Sequence, residues 1–117
     1  MRYLLLIYSD EADSRFDELG EGEQQAVLAE YYAISALPAT LGGAQLQPGS
    51  TATTVRVENG GTRTTDGPFA ETKEVLGGYY LIDVTDLDEA LEIAARIPAA
   101  RMGGSVEVRP LVEMGPA

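Results

Sequence analysis

Four apolar residues, Leu4 to Ile7, follow one another near the N-terminus with no polar residue between them. A strand with one solvated face alternates apolar and polar side chains, so an unbroken run predicts a strand that is covered on both faces. Helices of the same chain can cover one face of the sheet. A chain of 117 residues has few elements left for the other face, which is the first indication of a homodimer.

The segment after this strand predicts an acidic loop followed by a helix. Residues 10–23 are rich in Asp and Glu, but a calcium-binding loop is excluded because its glycine position holds Arg15, so a solvated loop is expected. From about Gly22 apolar residues recur at helical spacing. Pro38 should kink or end this helix, and Gly42-Gly43 is a natural stop.

The middle of the chain predicts an inserted β-hairpin. Thr51 to Glu58 is rich in β-branched residues, and Thr62 to Thr65 returns as the second strand. Between them, Asn59-Gly60-Gly61 supplies residues that adopt positive φ in a tight turn.

A second β-α-β unit follows. Gly77 to Val84 and Val106 to Val112 alternate as strands, and Pro110 suits an edge because it lacks a backbone donor. Between them, Asp86 and Glu89 have the spacing of a capping box. The predicted buried stripe of the helix consists of Leu87, Ala90, Leu91, Ala94 and Ile97, with Pro98 at its end.

The order β-α-β, hairpin, β-α-β predicts a ferredoxin-like α+β fold with a split βαβ arrangement. Both helices of such a fold lie on one face of the antiparallel sheet, and a second copy of the chain is the simplest cover for the other face. The stretch from Tyr31 to Val55 contains no charged residue and is a further candidate for burial against a partner chain.

The composition is that of one globular domain spanning residues 1–117. Hydrophobic residues make up 44% and charged residues 23% of the chain. The net charge of −11 argues against nucleic-acid binding, since phosphates repel an acidic surface. The N-terminal apolar run is too short for a signal peptide or a membrane span, so we expect a cytoplasmic protein with no membrane partner.

The chain contains no His and no Cys. Ser-His-Asp and Cys-His catalysis, disulfides and sulfur-ligated zinc are therefore excluded. Acid–base chemistry would have to use Asp, Glu, Lys or Tyr with shifted pKa values. A metal would need oxygen ligands, and we expect neither a metal site nor a cofactor.

The segment Asp66 to Glu74, which reads Asp-Gly-Pro-Phe-Ala-Glu-Thr-Lys-Glu, combines a tight turn with a cluster of charges. It resembles the signature of the YCII-related, or DGPF-type, family of small bacterial proteins. The resemblance continues through further segments, namely the opening strand to Tyr8, Thr51 to Thr54, Gly77 to Ile82, Asp86 to Ala90 and Val106 to Pro110.

The resemblance implies a dimeric α+β barrel, in which the sheet of a ferredoxin-like protomer packs on that of its twin. YCII-type relatives are suspected enzymes because a His and an Asp converge in a cleft, whereas DGPF-type members are often encoded beside extracytoplasmic-function sigma factors. This chain departs from the enzyme-like pattern, because neither the segment Gly43 to Gln47 nor any other part of it holds a His.

Asp66 and Lys73 are the candidate catalytic residues. Asp66 is a candidate general base or ligand acceptor, and the alternative is an Asp that caps the turn at Gly67-Pro68. Lys73 is the only lysine in the chain. It is a candidate for binding an anionic substrate or for proton transfer, and the alternative is an exposed ion pair with Glu71 or Glu74.

The candidate ligand-binding residues are Tyr8, Glu71, Gly77, Tyr79 and Arg109. Arg109 either clamps a carboxylate or neutralises Glu71 or Asp66. The tyrosines are core or interface residues unless a hydroxyl faces a pocket, and Gly77 permits close approach of a ligand. If the Asp66–Glu74 loop lies over the sheet end near Tyr8 and Arg109, these groups form one polar pocket.

The sequence therefore predicts a homodimer that binds a small anionic organic molecule, with proton-transfer or lyase chemistry and no His base if it is an enzyme. The alternative is a protein-interaction module that acts on a sigma factor, since an acidic protein can compete with DNA for a basic surface.

Overall fold

The computed structural model describes residues 1–68 and 75–113. Within this part of the chain, six strands and three α-helices are formed. In chain order they are β1 (Arg2–Tyr8), α1 (Asp10–Glu18), α2 (Glu21–Ser35), β2 (Thr40–Gln45), β3 (Thr53–Glu58), β4 (Gly61–Asp66), β5 (Leu76–Asp83), α3 (Leu87–Ala95) and β6 (Ser105–Pro110). Short 3₁₀ turns lie at Gly49–Thr51 and Pro98–Arg101.

Four of the strands form an antiparallel sheet in the order β2-β5-β1-β6. In the centre, Leu5 of β1 lies opposite Tyr80 of β5 on one side and Val108 of β6 on the other. On the outer side of β5, Gly43 of β2 faces Tyr80. This order is that of two interleaved βαβ units, which confirms the predicted ferredoxin-like α+β fold.

The two faces of the sheet differ in their cover. On one face, Tyr3, Leu5 and Ile7 are 3%, 0% and 6% exposed and form the core with the helices. On the other face, Leu4 and Leu6 are only half-buried. The chain itself thus covers one of the two faces of the sheet. A second copy of the chain on the other face stays a prediction.

The predicted hairpin is confirmed as a separate two-stranded sheet of β3 and β4. Its turn uses Asn59 at φ 50° and Gly60 at φ 77°, the left-handed region that glycine adopts without steric cost. Val55 and Val57 of β3 are 59% and 69% exposed. The described chain therefore leaves these two valines of the hairpin uncovered.

The prediction of a solvated loop over residues 10–23 is wrong, because residues Asp10–Glu18 form helix α1. Acids in the first turn of a helix interact favourably with its positive end, and α1 carries Asp10, Glu11 and Asp13 there. For the next helix, the end predicted near Pro38 is confirmed within a few residues, whereas the stop at Gly42-Gly43 is wrong. Helix α2 ends at Ser35, and both glycines lie in strand β2.

Helix α3 confirms its predicted cap and corrects its predicted face. The Asp86 side chain accepts a hydrogen bond of 2.9 Å from the backbone N–H of Glu89. The Glu89 carboxylate reaches back to the backbone N–H of Thr85 at 2.9 Å, one residue before the position that a capping box predicts. Leu87 and Leu91 were predicted to be buried but are 49% and 47% exposed. The buried residues of the helix are Ala90, Ile93 and Ala94, so the predicted Ala90 and Ala94 are confirmed, whereas Ile93 is buried in place of the two leucines.

Candidate functional site

A pocket of about 280 Å³ opens between helices α1 and α2 and strands β2 and β5. Apolar side chains form much of its wall, namely Ile7, Ala12, Phe16, Val27, Leu28 and Met102. Its polar and aromatic lining residues are Ser9, Asp13, Tyr31, Tyr32, Ser35, Gln45, Tyr79 and Tyr80. An apolar cavity with a few polar groups is the usual form of a small-molecule site, and the volume of this pocket lies just below the usual range of about 300–1,000 Å³.

Ser9 lies where strand β1 passes into helix α1, and it is 6% exposed. Its Oγ donates a hydrogen bond of 3.2 Å to Oδ2 of Asp13, one helical turn later. A methyl group at Gly77 would overlap this Oγ. The glycine therefore allows β5 to pass close enough to enclose Ser9 at the end of the pocket.

Asp13 lies in the first turns of α1 at the mouth of the pocket, where the residue remains exposed. Partial burial of the carboxylate raises its pKa above the ordinary range. The hydrogen bond from Ser9 opposes this effect, and the nearby charges of Asp10 and Asp17 raise the pKa further. The described residues thus place at the pocket mouth a carboxyl group that holds its proton more readily than an ordinary Asp.

Hydrogen bonds beside the pocket join strand β5 to helix α2 through two side chains, Tyr80 and Ser35, and the backbone of Tyr31. The Tyr80 hydroxyl donates to the backbone oxygen of Tyr31 at 3.0 Å, and Ser35 Oγ lies 3.5 Å from the Tyr80 hydroxyl. Burial raises the pKa of Tyr31, while a hydrogen bond with the backbone of Ala99 lowers it in part. Tyr31 is therefore a neutral phenol at physiological pH, and its contacts hold the helix against the sheet.

Two of the predicted site residues, Gly77 and Tyr79, line the pocket. Tyr79 lies opposite Leu6 of β1, and the alternation of side chains directs it to the half-buried face of the sheet. Tyr8 is half-buried at the end of β1, opposite Leu76. It is not among the described residues that line the pocket.

The other predicted site residues are distributed elsewhere or not described. Asp66 is the last residue of β4, opposite Thr53, and is exposed. Arg109 is 67% exposed and forms an ion pair with Glu107 of its own strand, an acid that sequence reasoning did not consider. The predicted contacts of Glu71 and Lys73 lie outside the described residues. The joint pocket of Asp66, Tyr8 and Arg109 therefore stays a prediction.

Sequence reasoning missed Ser9 and Asp13 as site residues. The signal for Asp13 was weak but present, because Ala12 and Phe16 have the i, i+4 spacing of a buried helical stripe within the acidic segment. Ser9 had no signal, since its role depends on the glycine of a strand that is distant in the sequence.

The described residues, 1–68 and 75–113, contain no group of three or more Asp or Glu side chains arranged to hold a metal ion. In the same part of the chain, no helix combines the length and the apolar character needed to cross a membrane.

Comparison with known proteins gives a family and a fold. The model of the YCII-related domain matches residues 1–115. An uncharacterised protein of Rhizobium meliloti (strain 1021) is 42% identical over 117 residues, covering 95% of this chain and 92% of the relative.

Among solved structures, 5-chloro-2-hydroxyhydroquinone dehydrochlorinase of Burkholderia phenoliruptrix AC1100, in complex with 2,5-dihydroxybenzoquinone, has a TM-score of 0.52 at 15% identity. The match covers 97% of this chain and 96% of that one, and shows a shared fold. Together with the signature that begins at Asp66, the family match establishes that this chain belongs to the YCII-related family.

Proposed function

We propose that the chain binds a small organic molecule in the pocket between α1, α2 and the sheet, and that Asp13 transfers a proton to or from this molecule. The observation that carries the proposal is a carboxyl group with a raised pKa at the mouth of a largely apolar cavity. General acids and bases work best when their pKa lies near the operating pH. With no His in the chain, a carboxyl group shifted in this direction is the described pocket residue best suited to that role.

The surroundings of Asp13 support this assignment. Ser9 Oγ donates a hydrogen bond to Oδ2 of the carboxylate, and Asp13 lines the pocket while the residue remains exposed. A carboxylate that is oriented by one neighbour and still reachable from a cavity has the arrangement of an acid–base residue. The solved structure of similar fold holds a substituted six-membered ring, which supports a ring compound as a ligand of suitable size for this chain.

The experiment is a thermal-shift screen of a metabolite panel against the wild type and two variants, Asp13→Asn and Asp66→Asn. A ligand at about 100 times its Kd adds roughly 2.7 kcal/mol to the stability of the folded state. We expect at least one ligand that raises the melting temperature of the wild type and of Asp66→Asn. Turnover of that ligand should be lost in Asp13→Asn. Loss in Asp66→Asn instead would contradict the role of Asp13 and favour the base predicted from the sequence.

The homodimer, the anionic ligand and the cytoplasmic location stay predictions from the sequence. A partner role with a sigma factor rests on the family resemblance and on the net charge of −11. Co-purification of a sigma factor that weakens steeply with salt is its test, because charge-driven association is screened by ions.

A further inference from the structure

The charge of the pocket limits which molecules it can bind, provided that the pocket is the binding site proposed above. Asp13 is the only Asp, Glu, Lys or Arg among the described residues that line it. It belongs to a helix that also carries Asp10, Glu11, Asp17 and Glu18. A cleft lined by charge of one sign attracts ligands of the opposite sign and repels those of its own.

Two cations near this region, both among the described residues, are already paired. Arg15 of α1 contacts Glu11 at 3.4 Å. The guanidinium of Arg101, which lowers the pKa of Tyr31 slightly, holds Glu30 with two hydrogen bonds of 2.6 and 2.8 Å. Neither arginine lines the described pocket, so an anionic ligand there would meet no unpaired cation among the described residues.

The aromatic residues of the pocket also favour a cationic ligand. Tyr31 and Tyr32 of α2, Tyr80 of β5 and Phe16 of α1 all line it. The face of an aromatic ring attracts a positive charge, and ammonium ligands are commonly recognised by several rings together with a carboxylate. The apolar remainder of the wall suits a hydrocarbon body.

We propose that the pocket binds an organic cation, an ammonium group carried on an aromatic or apolar body, with the Asp13 carboxylate as its counter-charge. The ammonium group lies at the pocket mouth beside Asp13, and the body lies against Phe16 and the tyrosines. The anionic ligand predicted from Lys73 and Arg109 is the opposing hypothesis.

The test compares benzylamine, benzyl alcohol and benzoate, three probes of similar shape that are positive, neutral and negative at pH 7. Each is titrated into the ¹⁵N-labelled protein, and Kd is taken from the shifts of the backbone amide signals of Ser9, Ala44 and Gly77. The variants are Asp13→Asn and Glu18→Gln. Both remove one negative charge from α1, but Glu18 is not among the described residues that line the pocket.

We expect benzylamine to bind most tightly and benzoate most weakly. Asp13→Asn should weaken benzylamine about fivefold, the effect of an exposed ion pair, and should leave benzyl alcohol unchanged. Glu18→Gln should preserve the preference. Since both substituted residues are exposed, both variants should keep the amide spectrum of the folded protein.

Three results would overturn the inference. Benzoate or benzyl alcohol binding as tightly as benzylamine at the same amides would keep the pocket as a ligand site but remove its preference for cations. An equal loss of benzylamine affinity in Glu18→Gln would reduce the effect to the overall charge of the helix. Absence of any benzylamine shift at these amides would reject a cation site, while the metabolite screen would still decide the proposed function.

Discussion

Ser9 Oγ occupies the space that a methyl group on Gly77 would need. Ser9, the first residue after β1, thus packs directly against Gly77, the second residue of β5. The Oγ of Ser9 also orients Asp13 through a hydrogen bond. We predict that Gly77→Ala turns the Ser9 hydroxyl away and breaks its bond to Asp13. Overpacking of this kind costs about 1–3 kcal/mol, measurable by urea unfolding.

A double-mutant cycle checks the cause of this loss. In a Ser9→Ala background the overlapping Oγ is absent, so Gly77→Ala should cost clearly less. An equal cost in both backgrounds would show that the glycine is needed for another reason.

Two adjacent glycines of β2 should respond differently to the same substitution. A methyl group at Gly43 would lie 2.6 Å from the backbone oxygen of Tyr79 and 2.8 Å from Cδ1 of Tyr80. At Gly42 no atom lies within 4 Å of that position. We expect Gly43→Ala to destabilise the protein by about 1–3 kcal/mol and Gly42→Ala to change its stability by less than about 0.5 kcal/mol, as measured by urea unfolding. Similar losses for both would contradict the close approach of β2 to β5.

The raised pKa of Asp13 predicts a pH dependence of stability. The folded state binds the Asp13 proton more tightly than the unfolded state, so this proton stabilises the fold below the ordinary Asp pKa. That contribution is lost as the pH rises through the folded-state value. We therefore expect Asp13→Asn to match the wild type near pH 3 and to become the more stable protein toward pH 7. Because the side chain is exposed, the difference should stay below about 1 kcal/mol.

Urea unfolding of both proteins across this pH range measures the difference. Asp88, an exposed acid of α3 for which Asp88→Asn is the matched variant, supplies the control. A growing advantage of the wild type over Asp13→Asn with rising pH would show that the Ser9 hydrogen bond outweighs the effect of burial.

The N-cap of α3 should contribute measurably to the free energy of unfolding. Asp86 accepts from the Glu89 N–H, so Asp86→Ala removes a bond that satisfies one free donor of the first turn. We expect a loss of about 1 kcal/mol in thermal or urea unfolding. Asp88 lies in the same turn. Asp88→Ala should lower the stability by only a few tenths of a kcal/mol, through the loss of its interaction with the helix dipole. Equal losses of stability in the two variants would show that the cap does not explain the effect of Asp86→Ala.

The half-buried face of the sheet gives the test of the homodimer. Leu6 lies on this face, opposite Tyr79 on one side and Glu107 on the other. If a second copy covers it, Leu6→Glu should shift the mass measured by light scattering from dimer to monomer. The control is Leu87→Glu on the exposed side of α3, which should leave the mass unchanged. A monomeric wild type would contradict the predicted dimer outright.

Most of the strands could be predicted because their signals are local, but β2 could not, since Gly42-Gly43 indicated the end of a helix. The apolar run from Leu4 to Ile7 and the turn residues Asn59-Gly60 define β1 and the hairpin without reference to the rest of the chain. Helix α1 was missed because its acids outnumber its apolar residues, and a helix with Ala12 as its one buried residue shows little periodicity. The buried side of α3 was predicted only in part: Ala90 and Ala94 are buried as expected, but docking against the sheet buries Ile93 rather than Leu87 and Leu91.

The candidate site was harder to predict than the fold. Its groups come from the end of β1, two helices and two strands, and their proximity depends on glycines such as Gly77 that permit close packing. Asp66 and Lys73, the catalytic residues predicted from the sequence, instead lie in one short segment of the chain. A residue such as Asp13, whose neighbours arrive from distant segments, acquires its unusual pKa only after folding.

Strand β1 takes both of its partners, β5 and β6, from the second half of the chain. During synthesis the run from Leu4 to Ile7 therefore stays unpaired until residues Ser105–Pro110 have been made. Long-range strand pairing of this kind slows folding, and an unpaired apolar strand is prone to aggregate. A chaperone that binds the nascent chain should accordingly bind at this run and be released only when β6 has paired with β1.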